Sequence, residues 1–307
     1  MAAAAVRAQA KVNLYLRVTG REASGFHHLE TLFCRIGLAD VVTVRLTPTS
    51  RTLDCFGPAL PRRGLGSVAE NLAWRAAIVY AEEARWPGGF EIELEKHIPV
   101  SAGLGGGSAD AGAVLRILNS LNARPLANER LLELARSLGA DVPFLAQATS
   151  SLALAWGRGD EWHPLPSLPE RACLIAVPIA GVATADAYAW LDEARRWSGR
   201  EIAPADAVNA IPAVLSWNDV RLLAHNDFED VVFAKCPAVQ TAWRYLSGIA
   251  AGIDPSGFTR MSGSGSAVFA VLATGLLENS GVPTPPEGVK LTATRTASRV
   301  EPVQPID

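Results

Sequence analysis

Residues 99–111 read Pro99-Val100-Ser101-Ala102-Gly103-Leu104-Gly105-Gly106-Gly107-Ser108-Ala109-Asp110-Ala111, with four glycines within five consecutive positions. An alternating pattern over 90–94 precedes them and predicts a half-buried strand. Apolar residues at helical spacing over 114–121 follow them. Glycines leave no Cβ between backbone and ligand, and a helix N-terminus adds unpaired N–H groups. The segment therefore predicts a phosphate-binding loop, with Ser108 as the N-cap of the helix.

The loop differs from two common phosphate-binding motifs. No lysine follows the glycines, as G-x-x-x-x-G-K-[ST] requires, and the spacing over 103–108 is not that of G-x-G-x-x-G. No acidic residue stands at a strand end about 20 residues later, where a dinucleotide site would have one. The plainer alternative is a flexible turn between strand and helix, although turns rarely need four glycines.

Composition favours a globular protein. The 307 residues are 49% hydrophobic, which allows a sizeable core in one large or two ordinary domains. The formal net charge of −3 gives no support for nucleic-acid binding. No apolar run is long enough for a transmembrane helix, and the alanine-rich start lacks the apolar stretch of a signal peptide. Four well-separated cysteines predict reduced thiols and a cytoplasmic location.

Strand and helix patterns occur in an irregular order that favours an α+β fold. Residues 197–216 are predicted to be loop with short helix, and residues 281–288 a surface loop. Strands are predicted at 12–18, 42–46, 90–94, 152–156, 173–177 and 267–272, with the last one at 289–296. Helices are predicted from Leu72, from Ser108, over 128–138 with Asn128 as cap, from Thr184 and from Pro237.

Two polar side chains share one face of the first strand. Lys11 and Asn13 alternate with Val12 and Leu14, so they are predicted to project together, opposite the core. A lysine in such a position is most often simply solvated.

Asp141 is the candidate acid–base residue. It follows the helix-ending Gly139 and precedes Val142-Pro143, which predicts a rigid turn. The alternative is a turn aspartate that caps the next segment.

His27 and His28, with Glu30 nearby, raise the question of a metal site. Adjacent residues of an extended chain point to opposite faces, and the spacing is not H-E-x-x-H. The pair is therefore not predicted to share a metal ion.

The glycine stretch resembles the ATP-binding signature of the GHMP kinases, the family of galactokinase, homoserine kinase, mevalonate kinase and phosphomevalonate kinase. Three further segments extend the resemblance, in the same order, from residue 8 to residue 272. They are Ala10–Leu16 with Gly25–Leu29, Gly139–Phe144, and Ser262–Phe269. The ordered set is much more specific than any one motif.

The resemblance implies a two-domain α+β architecture. The N-terminal domain, expected over residues 1–158, would bind ATP and be similar to domain 2 of ribosomal protein S5. The C-terminal domain, expected over residues 159–307, would be a ferredoxin-like α/β sandwich that binds the substrate.

The resemblance also implies ATP-dependent phosphoryl transfer to an alcohol, with Mg²⁺ bound as the ATP complex. The implied acceptor is a methylerythritol linked to cytidine diphosphate, phosphorylated on its 2-hydroxyl for non-mevalonate isoprenoid synthesis. A kinase of the homoserine or mevalonate type is the close alternative, and a non-catalytic nucleotide-binding protein is the distant one. The implied partners are these small molecules, without nucleic acid or membrane, for a monomer or weak homodimer.

Residue roles follow from the same resemblance. Lys11 and Asp141 match the catalytic pair, and Ser108 would also contact Mg²⁺. Phe26 stands where tyrosine is commoner, which keeps the stacking face and loses a hydroxyl. The implied ATP site comprises Asn71, Pro99, Ser101, Gly103, Leu104, Gly105, Gly106, Gly107, Ser108 and Ala109. The implied substrate site comprises Asn13, Phe26, His27, Thr184, Tyr188, Gly263 and Ser264.

Overall fold

The computed structural model describes residues 2–195, 216–273, 275 and 282–306, so the loop-and-helix prediction at 197–216 lies almost wholly outside the described residues. Two β-sheets flanked by helices confirm the predicted α+β class. The strands are β1 (Ala3–Arg21), β2 (His27–Thr47), β3 (Arg51–Phe56), β4 (Gly89–Glu95), β5 (Leu152–Trp156), β6 (Glu161–Leu165), β7 (Ala172–Pro178), β8 (His225–Asn226), β9 (Phe258–Met261), β10 (Val268–Leu272), β11 (Val289–Arg295) and β12 (Gln304–Ile306).

Helices cover both sheets, and none in the described part of the chain is long and apolar enough to cross a membrane. A short 3₁₀ turn at Val68–Glu70 precedes the first of them. The helices are α1 (Leu72–Glu83), α2 (Gly106–Leu121), α3 (Asn128–Leu138), α4 (Val142–Ala146), α5 (Thr184–Arg195), α6 (Trp217–Leu223), α7 (Glu229–Lys235) and α8 (Pro237–Ile253).

The larger sheet is built on the long antiparallel pair β1 and β2. Its order is β12-β1-β2-β4-β3, with β3 parallel to β4, while β5 pairs with β2 and carries β6. The smaller sheet is antiparallel throughout, in the order β11-β7-β10-β9. Helix α2 contacts β1 and β2, and α8 packs on the smaller sheet.

Strand β1 takes part in two hydrophobic cores. Val12 and Leu14 belong to the core of the larger sheet, together with residues of α1, α2, α3 and α4. Leu16 and Val18 belong to the second core, with residues of the smaller sheet and α8. The polar residues Lys11 and Asn13 therefore lie close to the boundary between the two cores.

The prediction that Lys11 and Asn13 face away from the core is wrong. Every residue over 8–14 is buried, so both faces of β1 are covered here. The prediction that the two side chains share a face is confirmed, because the Lys11 ammonium donates to the side-chain Oδ1 of Asn13 at 2.7 Å. Alternation identified the face correctly, but it does not reveal what packs against that face.

Two predicted helix caps are also wrong. Helix α2 begins at Gly106 with Gly105 as its N-cap, so Ser108 lies within the first turn. Helix α3 begins at Asn128 itself, after Ala127. By contrast, the starts predicted at Leu72, Thr184 and Pro237 agree with the structure.

The strand predicted at 289–296 is present as β11, but it is not the last one. Strand β12 follows it and pairs with the outer edge of β1, at Ala3–Ala5. Three residues are too few to show alternation in the sequence. Pro305 has no N–H to donate, and proline is tolerated in an edge strand because such a strand pairs on one side only.

Candidate active site

The glycine loop borders a cavity of about 500 Å³, which we call the nucleotide cavity. A cavity of this size suits a nucleotide. Ala109 is the exception among the residues predicted to bind ATP, because it is buried behind the loop. The other predicted ATP-site residues all line the cavity: Asn71, Pro99, Ser101, Gly103, Leu104, Gly105, Gly106, Gly107 and Ser108.

Two loop glycines adopt left-handed backbone conformations that favour glycine. Gly103 has a φ of 78° and Gly105 a φ of 70°. A Cβ on Gly103 would lie 2.2 Å from the carbonyl oxygen of Ser262, so the glycine loop touches a second glycine-rich loop, residues 262–267. Ser101 also has a positive φ, 56°, and strained non-glycine residues of this kind cluster at ligand sites.

The N-terminus of α2 opens into the nucleotide cavity. Its first helical hydrogen bond runs from the Ala109 N–H to the Gly105 carbonyl at 2.8 Å. The amides of Gly106, Gly107 and Ser108 therefore precede the helical ladder, and the positive end of the helix dipole lies with them. This arrangement binds phosphate oxygens.

A buried charge cluster that the sequence analysis missed supports the floor of this cavity. Lys96 donates to both Asp40 and Asp110. Burial disfavours the charge on Lys96, but the two carboxylates outweigh burial and raise its pKa. Burial raises the pKa of Asp110 to about 8, aided by Asp40 and opposed by Lys96. A lysine directly after a strand and just before the glycines was the available signal.

A second cavity of about 330 Å³ adjoins the first, and we call it the acceptor cavity. Four residues line both cavities: Gly103, Gly105, Ser108 and Thr184. The remaining predicted site residues that line the acceptor cavity are Lys11, Asn13, Asp141, Tyr188, Gly263 and Ser264.

Lys11 and Asp141 face each other in the acceptor cavity. The Lys11 Nζ lies 3.3 Å from Oδ2 of Asp141, and 5.2 Å from the centre of the Phe33 ring. The Asn13 side chain accepts a hydrogen bond from Lys11 Nζ through Oδ1 and donates one to Thr31 Oγ1 through Nδ2, both at 2.7 Å. The ammonium is thus fixed from two sides, with Asp141 remaining partly exposed to the cavity.

Asp141 stands at the N-cap of α4, two residues after Gly139, the C-cap of α3. The carbonyl end of this short helix is held by Arg35, which donates to Phe144 O at 2.7 Å and to Gln147 O at 3.0 Å. A cation at the C-terminus of a helix is favourable. Arg35 is fully buried, and burial lowers its pKa to about 9. These contacts fix the backbone that carries Asp141.

The second glycine-rich loop closes the acceptor cavity from the side of the smaller sheet. Asn226 donates to the carbonyls of Met261 at 2.7 Å and Gly263 at 2.9 Å, which holds the loop in place. The hydroxyls of Ser264 and Thr184 are 3.0 Å apart, so the loop also reaches the first turn of α5.

Of the predicted base-recognition residues, only Tyr188 lines the acceptor cavity, whereas Phe26 and His27 do not. The rings of His27 and Tyr188 stack with centroids 4.5 Å apart, and His27 Nε2 lies 2.7 Å from Asp192 Oδ1. Burial, together with the charge of Asp141, raises the pKa of Tyr188 to about 12. Phe26 is 56% exposed, and its ring contacts Arg158, which itself lines the acceptor cavity.

Comparisons with known proteins identify the family of this chain. The family model described as GHMP kinases N terminal domain matches residues 71–148. The chain is 39% identical to the 4-diphosphocytidyl-2-C-methyl-D-erythritol kinase of Solibacter usitatus (strain Ellin6076), over 86% of this chain and 79% of the relative. It is 38% identical to the protein of the same name from Desulfotalea psychrophila (strain LSv54 / DSM 12343), over 87% and 84% respectively.

Solved structures extend the comparison. A crystal structure of 4-(cytidine 5'-diphospho)-2C-methyl-D-erythritol kinase aligns with a TM-score of 0.70 at 33% identity, covering 95% of this chain and 98% of the other. Homoserine kinase from Cytophaga hutchinsonii aligns with a TM-score of 0.62 at 18% identity, covering 99% and 97%, which shows a shared fold alone. The family match and the solved structure identify the chain as an ATP-dependent small-molecule kinase. The chain belongs to the GHMP kinase family and, within it, to the 4-diphosphocytidyl-2-C-methyl-D-erythritol kinases.

Proposed function

We propose that this protein transfers the γ-phosphoryl group of ATP to the 2-hydroxyl of 4-diphosphocytidyl-2-C-methyl-D-erythritol, in non-mevalonate isoprenoid precursor synthesis. The observation that carries the proposal is the Lys11–Asp141 pair, at 3.3 Å, in a cavity that shares its wall with the glycine loop. An alcohol held at this pair would lie next to a phosphate held by the loop.

The nucleotide side rests on the first turn of α2. The amides of Gly106, Gly107 and Ser108 would bind the phosphates, and the helix dipole would offset part of their charge. Asn71 caps α1 by accepting from the Ala73 N–H at 2.9 Å, so its side chain serves the helix while it lines the nucleotide cavity.

Asp141 would orient the acceptor hydroxyl and receive its proton. The hydroxyl oxygen forms a bond to the γ-phosphorus while the bond from that phosphorus to the ADP oxygen breaks. In a loose transition state the oxygen retains its proton until late, so a carboxylate is a sufficient base. The proton passes to the Asp141 carboxylate, and ADP is the leaving group.

Lys11 would stabilise the charge on the transferring group, and Asn13 would position Lys11. The amide of Asn13 is occupied by Lys11 and Thr31, which favours a positioning role over direct contact with the substrate. Preorganised charge of this kind is commonly the largest contribution to phosphoryl-transfer rates.

Ser108 fits Mg²⁺ that arrives with ATP. The described residues contain no group of three acidic, histidine or cysteine side chains that could hold a metal ion alone. Mg²⁺ bound through phosphates and waters needs only one or two protein oxygens, and Ser108 offers one where the two cavities meet. Bound there, the ion would neutralise phosphate charge.

The acceptor side would use the rest of the predicted set. Thr184, Gly263 and Ser264 line the acceptor cavity, where the polyol would lie. Phe26 and His27 would recognise cytosine, with Tyr188 stacked on His27.

The protein would act in the cytoplasm as a monomer or weak homodimer, with domains at 1–158 and 159–307. The four cysteines are all free thiols, which supports a reducing compartment.

An ATP-consumption assay with three acceptors tests the proposed function. The purified chain is incubated with MgATP and 4-diphosphocytidyl-2-C-methyl-D-erythritol, homoserine or mevalonate, and the phosphorylated product is identified by mass spectrometry. We expect turnover of the cytidylyl acceptor alone. Preferred turnover of homoserine or mevalonate would overturn the substrate assignment, and turnover of none would favour a non-catalytic nucleotide-binding protein.

A further inference from the structure

The turn between β5 and β6 places an arginine at the rim of the acceptor cavity. Gly157 and Gly159 have φ values of 68° and 93°, so glycines allow a tight turn with Arg158 between them. The Leu29 N–H donates to the Gly157 carbonyl at 2.8 Å, which ties the turn to the start of β2. Arg158 and Gly159 both line the acceptor cavity.

Glu22 receives this arginine at the tip of the β1–β2 hairpin. Arg158 Nε donates to Glu22 Oε1 at 2.9 Å, and Nη2 donates to Oε2 at 2.6 Å. The Ser24 hydroxyl donates to the same carboxylate at 2.6 Å, and His28 Nε2 lies 3.3 Å from it. Hydrogen bonds from Arg158, and then from Ser24, lower the pKa of Glu22 to about 2. The hairpin tip is therefore fastened to the β5–β6 turn.

The same guanidinium covers one face of the Phe26 ring. Its central carbon lies 4.1 Å from the ring centroid, within the distance range of a cation–π contact. The Phe26 carbonyl accepts from the Glu22 N–H at 2.7 Å, so backbone and ring of Phe26 are both tied to the Glu22–Arg158 pair. Phe26 is otherwise 56% exposed.

We propose that Arg158 is a positioning residue for acceptor binding: held by Glu22, it fixes the Phe26 ring so that the opposite face stacks on the acceptor base. This inference rests on the proposed function, because it assigns Phe26 to the cytosine end of the acceptor. A ring on a hairpin tip would lose side-chain freedom when a base binds, and fixing it in advance removes that cost. Phe26 lacks the hydroxyl of tyrosine, so its ring cannot be held by a side-chain hydrogen bond. The guanidinium of Arg158 restrains the ring through contact with one of its faces.

Steady-state kinetics of R158Q test the inference, with R130Q as a matched control. Arg130 makes the same two-pronged pair, with Glu83 at 2.9 and 2.6 Å, and its side chain is 47% exposed, as is that of Arg158. We expect R158Q to raise KM for the cytidylyl acceptor about three- to fivefold, the scale of an exposed cation–π contact, with kcat and KM for ATP within twofold. R130Q should leave all three constants unchanged. An unchanged acceptor KM in R158Q would overturn the proposal.

A double-mutant cycle with F26A distinguishes positioning from direct contact. If Arg158 acts through Phe26, R158Q has less than a twofold effect on KM in the F26A background. If R158Q retains its full effect there, Arg158 contacts the acceptor itself and the positioning role is wrong. E22Q should raise the acceptor KM as R158Q does, because it loosens the arginine; a lowered KM would also contradict the proposal.

Amide hydrogen exchange of the protein without ligand provides a readout that does not depend on activity. We expect faster exchange in a peptide over residues 20–28 of R158Q than in the wild type or R130Q, because the hairpin tip is released. Unchanged exchange would overturn the proposal. Failure of the wild type to phosphorylate the cytidylyl acceptor would reject the proposed function instead, and the exchange measurement would still decide whether Arg158 holds the tip.

Discussion

At the scale of single residues, the site depends on charged side chains and on glycines, which have no side chain. Lys11 is held by Asn13 and lies beside Asp141, and the loop glycines leave space where phosphate would bind. Each feature depends on a few side chains, so single substitutions can test it.

Asp141→Asn should lower kcat about 10²-fold or more, the usual scale for losing a positioned acid–base group. The amide keeps the shape of the carboxylate but neither accepts the proton nor balances the charge of Lys11. ATP affinity, measured by isothermal titration, should stay within about threefold. Asp54→Asn, on the exposed edge strand β3, is the control and should leave kcat unchanged. A near-normal kcat in Asp141→Asn would reject the assignment.

Gly107→Ala should raise KM for ATP about tenfold without lowering the melting temperature. A Cβ at Gly107 would contact only Leu72 Cδ1, at 3.7 Å, so the fold accommodates it. The methyl group would, however, project where we propose that phosphate binds. Gly106 is a poorer choice, because its Cβ would press on Ile98 Cγ2 at 3.1 Å. Gly248→Ala, in open space on α8, is the control. An unchanged KM for ATP would show that the loop is only a turn.

At the scale of elements, buried ion pairs and hydrogen bonds connect strands and helices in addition to the hydrophobic core. Lys96, at the end of β4, pairs with Asp40 of β2 and Asp110 of α2. Asp40 also accepts from the His97 and Ile98 amides at 2.5 and 2.7 Å, which fixes the chain just before the glycine loop.

Asp110→Asn should flatten the pH dependence of stability. Because the folded-state pKa of Asp110 is raised from 3.8 to about 8, the folded protein binds more protons than the unfolded chain between these values. Its contribution to stability is therefore present at low pH and lost as pH rises towards 8. From pH 5 to pH 8, urea unfolding should show the wild type losing more stability than the variant. Parallel curves for the two proteins would contradict this.

At the scale of the whole molecule, the two sheets share two hydrophobic cores, because β1, β7 and β10 each contribute to both. Strand β11 of the smaller sheet contacts β2 of the larger sheet, and the two glycine-rich loops touch. Strand β12, from the far end of the chain, pairs with Ala3–Ala5 and forms the outer edge of the larger sheet.

Deleting residues 304–307 should promote self-association while leaving kcat and both KM values within twofold. Removal of β12 bares the backbone N–H and C=O groups of Ala3–Ala5, and an open edge of this kind pairs with other chains. Static light scattering at increasing protein concentration is the measurement, with the full-length chain as control. Identical scattering from both proteins would show that β12 does not protect this edge.

The sequence alone determined the features that depend on near neighbours: the glycine loop before a helix, the turn that carries Asp141, the shared face of Lys11 and Asn13, and the α+β class. Each is a pattern within a few residues, so local backbone preferences and ordered motifs were enough to identify it. Other site residues, such as Tyr188, were predicted only from the family resemblance. No local sequence pattern assigned them to the site.

Only the tertiary structure decided which side chains meet. Four features depend on contacts between segments that lie far apart in the chain. They are the burial of Lys11, the cluster around Lys96, the Glu22–Arg158 pair and the edge strand β12. Such contacts leave no periodic trace in sequence, since a charged residue looks the same whether it is solvated or paired in the interior. Ser108 shows the same limit on a small scale: it was expected to cap α2, but the left-handed Gly105 starts the helix earlier.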